Sequence, residues 1–278
     1  MGADLFFAIA AAVLLGSSDF FAARSARSTP SVTVTRTAVT TSVVLSPVLL
    51  LLVDWEVVGR DLWIGAGSGV FMITGLMFLY QGYKVARMGV VAPLSSVLLA
   101  TVPVVWDLFH GQTPGTTAAV GMALGLVALV LTSYTPGGSG SATMGAVLGV
   151  ASGVAFGVAF TLMGEVSEAS GLLPVIVQRV AGLALLLLVG VVRSEPWFAV
   201  GTGRRHAMTA GVLGLAAIGC LQFAFQQGAT GPVSVASSQF AAVAVILSVT
   251  FNRERMRWWQ ALGVVTTAVA VALIAVGG

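Results

Sequence analysis

The amino-acid sequence predicts an all-α integral membrane protein whose ten transmembrane helices form two inverted five-helix repeats. Composition is the first observation behind this. The 278 residues are 57% hydrophobic and only 8% charged, against about a quarter charged in an ordinary soluble domain, so the chain cannot cover a water-facing surface and lipid is its solvent. The second is a series of long apolar runs between short polar breaks. The third is a match between the two halves across a glycine- and serine-rich midpoint.

A membrane helix needs about 20 mostly apolar residues. Runs of that kind place spans near 4–23, 31–53, 62–83, 89–109, 116–134, 144–164, 172–192, 207–228, 231–251 and 257–276. The first run, MGADLFFAIAAAV, has no basic segment before it, so it is expected to be a retained helix and not a cleaved signal. Pro93, Pro103 and Pro232 fall within or at the start of the fourth and ninth runs, where proline frees a carbonyl and bends a helix. The sixth run carries Gly145, Gly149, Gly153 and Gly157, one per turn, a stripe that permits close backbone packing. Gly121 and Gly125 suggest a second tight contact in the fifth. The segment TPGGSGSAT, 135–143, offers nothing to bury and reads as a linker. It divides the chain into a first repeat, 1–134, and a second, 144–278.

The halves match in register. GVVAPLSSV at 89–97 lies over GPVSVASSQ at 231–239, and AAVGMALGLVALVL over QALGVVTTAVAVAL, both 142 residues apart; Arg36 meets Arg179 one residue further along. Five helices per repeat is an odd number, so the second copy must enter the membrane inverted. Charge tests this independently. Segments after the odd-numbered spans hold Arg24, Arg27, Lys84, Arg87, Arg193, Arg204, Arg205, Arg253, Arg255 and Arg257, whereas those after even-numbered spans hold only Arg60. By the positive-inside rule the odd segments are cytoplasmic and both termini lie outside.

Several function classes lack support. The net charge of +3 is carried by too few residues for a nucleic-acid footprint. Cys220 is the single cysteine, so no intrachain disulfide forms. His110 and His206 have neither metal-ligand spacing nor a serine partner, and GSGS at 138–141 lacks the lysine and the strand of a phosphate cradle. No catalytic residue, metal or cofactor is expected.

The polar residues inside the spans are the candidates for a pathway. Arg36 and Arg179 sit about two turns into their helices, roughly 9 to 10 Å by helix rise. A buried charge there must face protein, water or a partner; snorkelling or a structural pair stands beside a gating or binding role. Thr33, Thr37 and Thr40 share the face of Arg36. Asp19, in LLGSSDFFAARSAR, lies about 7 or 8 Å inward of Arg24. Its counterpart in the other half is Phe160, so this carboxylate breaks the symmetry, and it is expected to pair with Arg36, to take up a proton, or to act as an interfacial cap. Ser18, Tyr80, Gln81, Ser95, Ser96, Gln222, Gln226, Ser237, Ser238 and Gln239 are uncharged polar groups suited to a midplane pocket or to interhelical hydrogen bonds.

The sequence resembles the drug/metabolite transporter superfamily, and within it the ten-helix EamA-like transporters. The early GSSDFF, an arginine early in the second and seventh spans (Arg36 and Arg179), and NRERMRWWQALG with Glu254 and Gly263 carry the likeness. Two positions depart from the family pattern, Leu15 where a tryptophan is common and Gln112 opposite Glu254. The resemblance implies a secondary transporter, expected here to export small polar or amphipathic metabolites such as amino acids by alternating access, often with protons. It also implies that the first four helices of each half line the cavity. An intramembrane lipid-modifying enzyme and a non-transporting scaffold are the rival readings. The expected setting is the cell inner membrane, as a monomer or weak homo-oligomer.

Overall fold

A computed structural model describes residues 3–86, 88–111, 115–133, 140–192, 196–228, 230–252 and 258–277. Arg87, Gln112, Arg193, Glu254, the arginines 253, 255 and 257, and residues 135–139 of the expected linker lie outside them. The described chain is nearly all helical, with no strand among those residues. In order the helices are α1 (Ala3–Ala26), α2 (Ser31–Leu45), α3 (Gly59–Val85), α4 (Met88–Phe109), α5 (Thr116–Ser133), α6 (Gly140–Gly164), α7 (Leu173–Val192), α8 (Gly201–Gln227), α9 (Thr230–Ser237), α10 (Phe240–Asn252) and α11 (Trp258–Gly277).

Among the described residues seven helices are long and apolar enough to cross a membrane: α1 to α4, with α2 counted through Leu51, and α6 to α8. The expected ninth span, 231–251, is not one helix. It breaks at Ser238 and Gln239 into α9 and α10, of 8 and 13 residues, about 12 and 20 Å long at 1.5 Å per residue against a hydrocarbon core of about 30 Å. The cause is local. Ser237 and Ser238 turn their hydroxyls back onto the carbonyls of Ser234 and Val235, at 3.0 and 2.7 Å, and so compete with the helix ladder. The second span also changes form. Its α-helix stops at Leu45 and Ser46–Leu51 continue as a 3₁₀ turn with Pro47 near its start, because proline has no N–H to give and clashes with the preceding turn. Pro93 and Pro103 leave α4 unbroken. Helix α8 begins at Gly201, ahead of the expected 207, and α6 at Gly140, inside the expected linker.

Helix pairs set the architecture. α1 lies along α8, and α3 along α6; α2 packs on α8, and α3 on α7; α4 packs on α6, and α10 on α1; α5 and α11 pack on each other. Glycines make the closest of these contacts. A Cβ at Gly69 would collide with the Gln178 carbonyl oxygen and one at Gly211 with that of Ala38, so α3 meets α7 and α8 meets α2 backbone to backbone. The stripe on α6 does the same work, with Gly153 placing a hypothetical Cβ 2.5 Å from the Ser95 oxygen and Gly157 2.5 Å from Val102 of α4. Such contacts replace the hydrophobic drive that helices lack in lipid.

The two ends of the bundle differ in charge. At one end Asp61 accepts hydrogen bonds from the Ser167 backbone and hydroxyl and from Ser170 Oγ at 2.7 Å. Beside it Arg60 Nη1 donates to the Glu165 carbonyl at 3.1 Å. Asp4 approaches Gly228 and Asp107 approaches Gly231 at this same end. At the other, Ser25 donates to the Gly203 carbonyl at 2.9 Å, which puts the helix ends carrying Arg24, Arg27, Arg204 and Arg205 side by side.

Candidate functional site: a buried cavity between the halves

One cavity is walled by residues from α1, α2, α3, α4, α6, α7, α8 and α10, and among the described residues neither α5 nor α11 reaches it. Most of its wall is apolar: Leu15, Met72, Leu76, Leu99, Phe156, Phe160, Ile218 and Phe240. The polar part consists of Ser18, Asp19, Ser42, Tyr80 and Arg179. Its volume is about 50 Å³, room for a few water molecules. Pockets that hold metabolites are usually about 300 to 1,000 Å³.

The expected residues divide by location. Ser18, Asp19, Tyr80 and Arg179 line the cavity. Asp19 is 4% and Arg179 4% exposed, and no ion pair joins them among the described residues. Asp19 Oδ2 accepts a hydrogen bond from the Tyr83 hydroxyl at 3.3 Å. Tyr80, one turn away on the same helix, is buried and lines the same cavity. The Arg179 Nε is buried with no hydrogen-bond partner among the described residues. The cavity wall thus includes one carboxylate, one guanidinium and one phenol.

Arg36 is elsewhere, and the expected Asp19–Arg36 pair does not form. The guanidinium of Arg36 lies 4.7 Å over the Trp197 ring and donates to the Trp197 carbonyl at 3.3 Å. Gly190 of α7 leaves the room for it, since a Cβ there would come within 2.5 Å of Nη2. The irregular segment bearing Trp197 is tied along α2 by Thr33 Oγ1 donating to the Pro196 carbonyl at 2.8 Å and Ala199 N donating to Thr37 Oγ1 at 3.0 Å. Arg36 therefore anchors a segment at the basic end instead of lining the cavity.

Of the uncharged candidates, most make structural bonds. Gln81 accepts from Ser31 Oγ at 2.8 Å, tying α3 to α2. Ser95 shares a 3.1 Å bond with Ser152, which in turn donates to the Gly75 carbonyl. Ser96 Oγ returns to the Pro93 carbonyl at 2.9 Å. Gln226 donates to the Gly171 carbonyl at 2.9 Å and so holds the acidic end. Gln239 sits in the α9–α10 turn, and Thr40 lies on an outer groove between α2 and α8. Gln222 is buried with neither its amide nitrogen nor its oxygen bonded among the described residues.

Sequence reasoning missed Tyr83, Ser42 and the aromatic wall. Tyr83 carried a usable signal, lying one turn after Tyr80 on the same face. Ser42 did not, since its role depends on α8: it donates to the Gly211 carbonyl at 2.7 Å across the helix crossing. Phe240 enters the wall because the chain breaks just before it, where Gly16 admits its backbone within 2.5 Å of a hypothetical Cβ.

Comparison with known proteins bears on the fold. A solved structure described only as the crystal structure of a protein shares the fold, with a TM-score of 0.69 over 96% of this chain and 95% of that one at 18% identity. No curated protein matches the sequence significantly. Residues 143–276, which bring Phe160, Arg179 and Phe240 to the cavity, match the EamA-like transporter family.

Proposed function

We propose that the protein is a secondary transporter that exports small polar or amphipathic metabolites, with zwitterionic amino acids as the substrate class, through the cavity between two inverted halves. One observation carries this reading: Asp19 and Arg179 face a common cavity without neutralising each other. An α-ammonium group is matched to the carboxylate, and an α-carboxylate to the planar guanidinium fork, which binds carboxylates in a bidentate manner. The apolar wall of Phe156, Phe160, Ile218 and Phe240 then receives the substrate side chain. With no substrate bound, a proton on Asp19 satisfies the buried carboxylate, and its release on binding is a route to coupling with a proton gradient.

Alternating access fits the size of the cavity and its surroundings. At about 50 Å³ it is too small for a metabolite, so the helices around it must separate to hold substrate. Inverted halves are supported by the reciprocal packing, in which α1 on α8 has its counterpart in α6 on α3, and α2 on α8 in α7 on α3. The break between α9 and α10 beside the cavity fits the discontinuous helices of secondary transporters. The charge difference between the ends favours a cytoplasmic basic end, with both termini outside, in a bacterial inner membrane and as a monomer or weak homo-oligomer.

Purified protein in liposomes is expected to exchange labelled zwitterionic amino acids across the bilayer, and to lose that exchange in Asp19→Asn and in Arg179→Gln. Full exchange by both variants, or none by the parent protein across a broad panel of amino acids and related metabolites, overturns the reading.

A further inference from the structure

A groove of about 490 Å³ runs along the outer side of the α2–α8 crossing, separate from the central cavity. Arg204 and Phe198 line it together with Thr40 and Thr41, Val44, Met208 and Val212. We propose that this groove is a binding site for an anionic phospholipid, with the headgroup phosphate at Arg204 and one acyl chain along the groove.

Three observations converge on that occupant. Arg204 is exposed on the groove, and its guanidinium makes no hydrogen bond or ion pair with the described residues, so its charge is available to a ligand. Further along the groove its wall is mostly apolar and outward-facing, with Val44 70%, Met208 40% and Val212 46% exposed. Val212 lies eight residues beyond Arg204 on the same helix, about 12 Å further along the axis. Half of a bilayer's hydrocarbon core is about 15 Å. A cation at one end of a mostly apolar trough about as long as a leaflet is deep matches a molecule with a phosphate at one end and an alkyl chain at the other. A soluble anion uses only the charged end and a neutral lipid only the trough.

The inner wall of this groove gives the site a consequence. Gly211 and Ala38, which line the central cavity, meet backbone to backbone between it and the groove. A chain lying in the groove therefore braces the α2–α8 crossing from outside.

The test uses full-length protein purified in detergent, with phosphatidylglycerol and phosphatidylcholine titrated separately and retention read by native mass spectrometry. Phosphatidylglycerol is expected to be retained preferentially. Arg204→Gln should weaken that retention about fivefold or more, the effect of losing one basic contact at the membrane surface. Arg205→Gln, the neighbouring exposed charge that does not line the groove, should change it less than about twofold. Val44→Trp, an exposed position that fills the trough without altering charge, should displace the lipid while leaving the protein monodisperse. Equal retention of the two lipids overturns the site, as does an equal effect of the two arginine variants, which marks diffuse surface attraction. Competition by inorganic phosphate as strong as that by phosphatidylglycerol assigns the charged end to a soluble anion and also overturns it.

Discussion

The junction of α1 with α3 and the junction of α6 with α8 put the same scaffold positions to different uses. In the first, Asp19 meets the Tyr83 hydroxyl at 3.3 Å; in the second, Phe160 meets Phe225 edge to face, with ring centroids 5.8 Å apart. Phe160 stands 141 residues after Asp19, and Phe225 stands 142 after Tyr83. The nearby hydroxyl bonds correspond too, but with the donor exchanged. Ser18 on α1 donates to Ala210 of α8 at 2.8 Å, whereas Ser68 on α3 donates to Ala159 of α6 at 2.9 Å. An edge-to-face aromatic pair in a dry interior is self-sufficient. A carboxylate in the same setting is costly unless it is paired or protonated, so the two junctions differ in what they demand of their surroundings.

The sharpest break of the comparison is to place the acid on the wrong side. Phe160→Asp, which buries a carboxylate against Phe225, is expected to cost several kcal/mol and to be read as loss of monodisperse protein in detergent, while Asp19→Leu should fold normally. Next come the glycine crossings that hold both junctions. Gly69→Ala and Gly211→Ala each press a methyl into a neighbouring carbonyl and should each cost about 1 to 3 kcal/mol, by chemical or thermal unfolding. Similar losses at the two positions would extend the correspondence of the halves from sequence to energetics. Asp19→Asn keeps the shape and removes the charge. Transport should fall about tenfold or more, equivalent to about 1.4 kcal/mol, and lose its dependence on pH, with the melting temperature little changed; full, normally pH-dependent transport by this variant would end the coupling role. Tyr83→Phe is the smallest change, about 0.5 to 1.5 kcal/mol for one hydrogen bond. It should shift the pH profile of transport more than its maximum rate.

Much of this plan was legible in the chain because lipid imposes strict rules on sequence. Long apolar runs give most of the helices, since no other open structure satisfies its backbone in a bilayer. The offset between the halves picked out Asp19 as the asymmetric residue by setting it over Phe160. The polar candidates were harder to sort, because serine, threonine and glutamine look alike on a helix face whether they meet substrate, a neighbouring carbonyl or their own helix. Ser95, Ser96, Gln81 and Gln226 proved to be bonded within the protein. The break at Ser238 had a local cause, yet hydropathy alone read straight through it.

The sequence by itself determined the solvent of this protein, the approximate register of most of its helices and the charge difference between its ends. These follow from composition and spacing along the chain. Tertiary structure decided the partners: Arg179 shares the cavity with Asp19, while Arg36 is drawn away onto Trp197. Both arginines occupy similar depths in similar helices, so nothing local distinguishes them. The difference comes from what lies across from each, the segment 196–200 for one and the cavity wall for the other, and such contacts between residues more than a hundred positions apart exist only once the helices have packed.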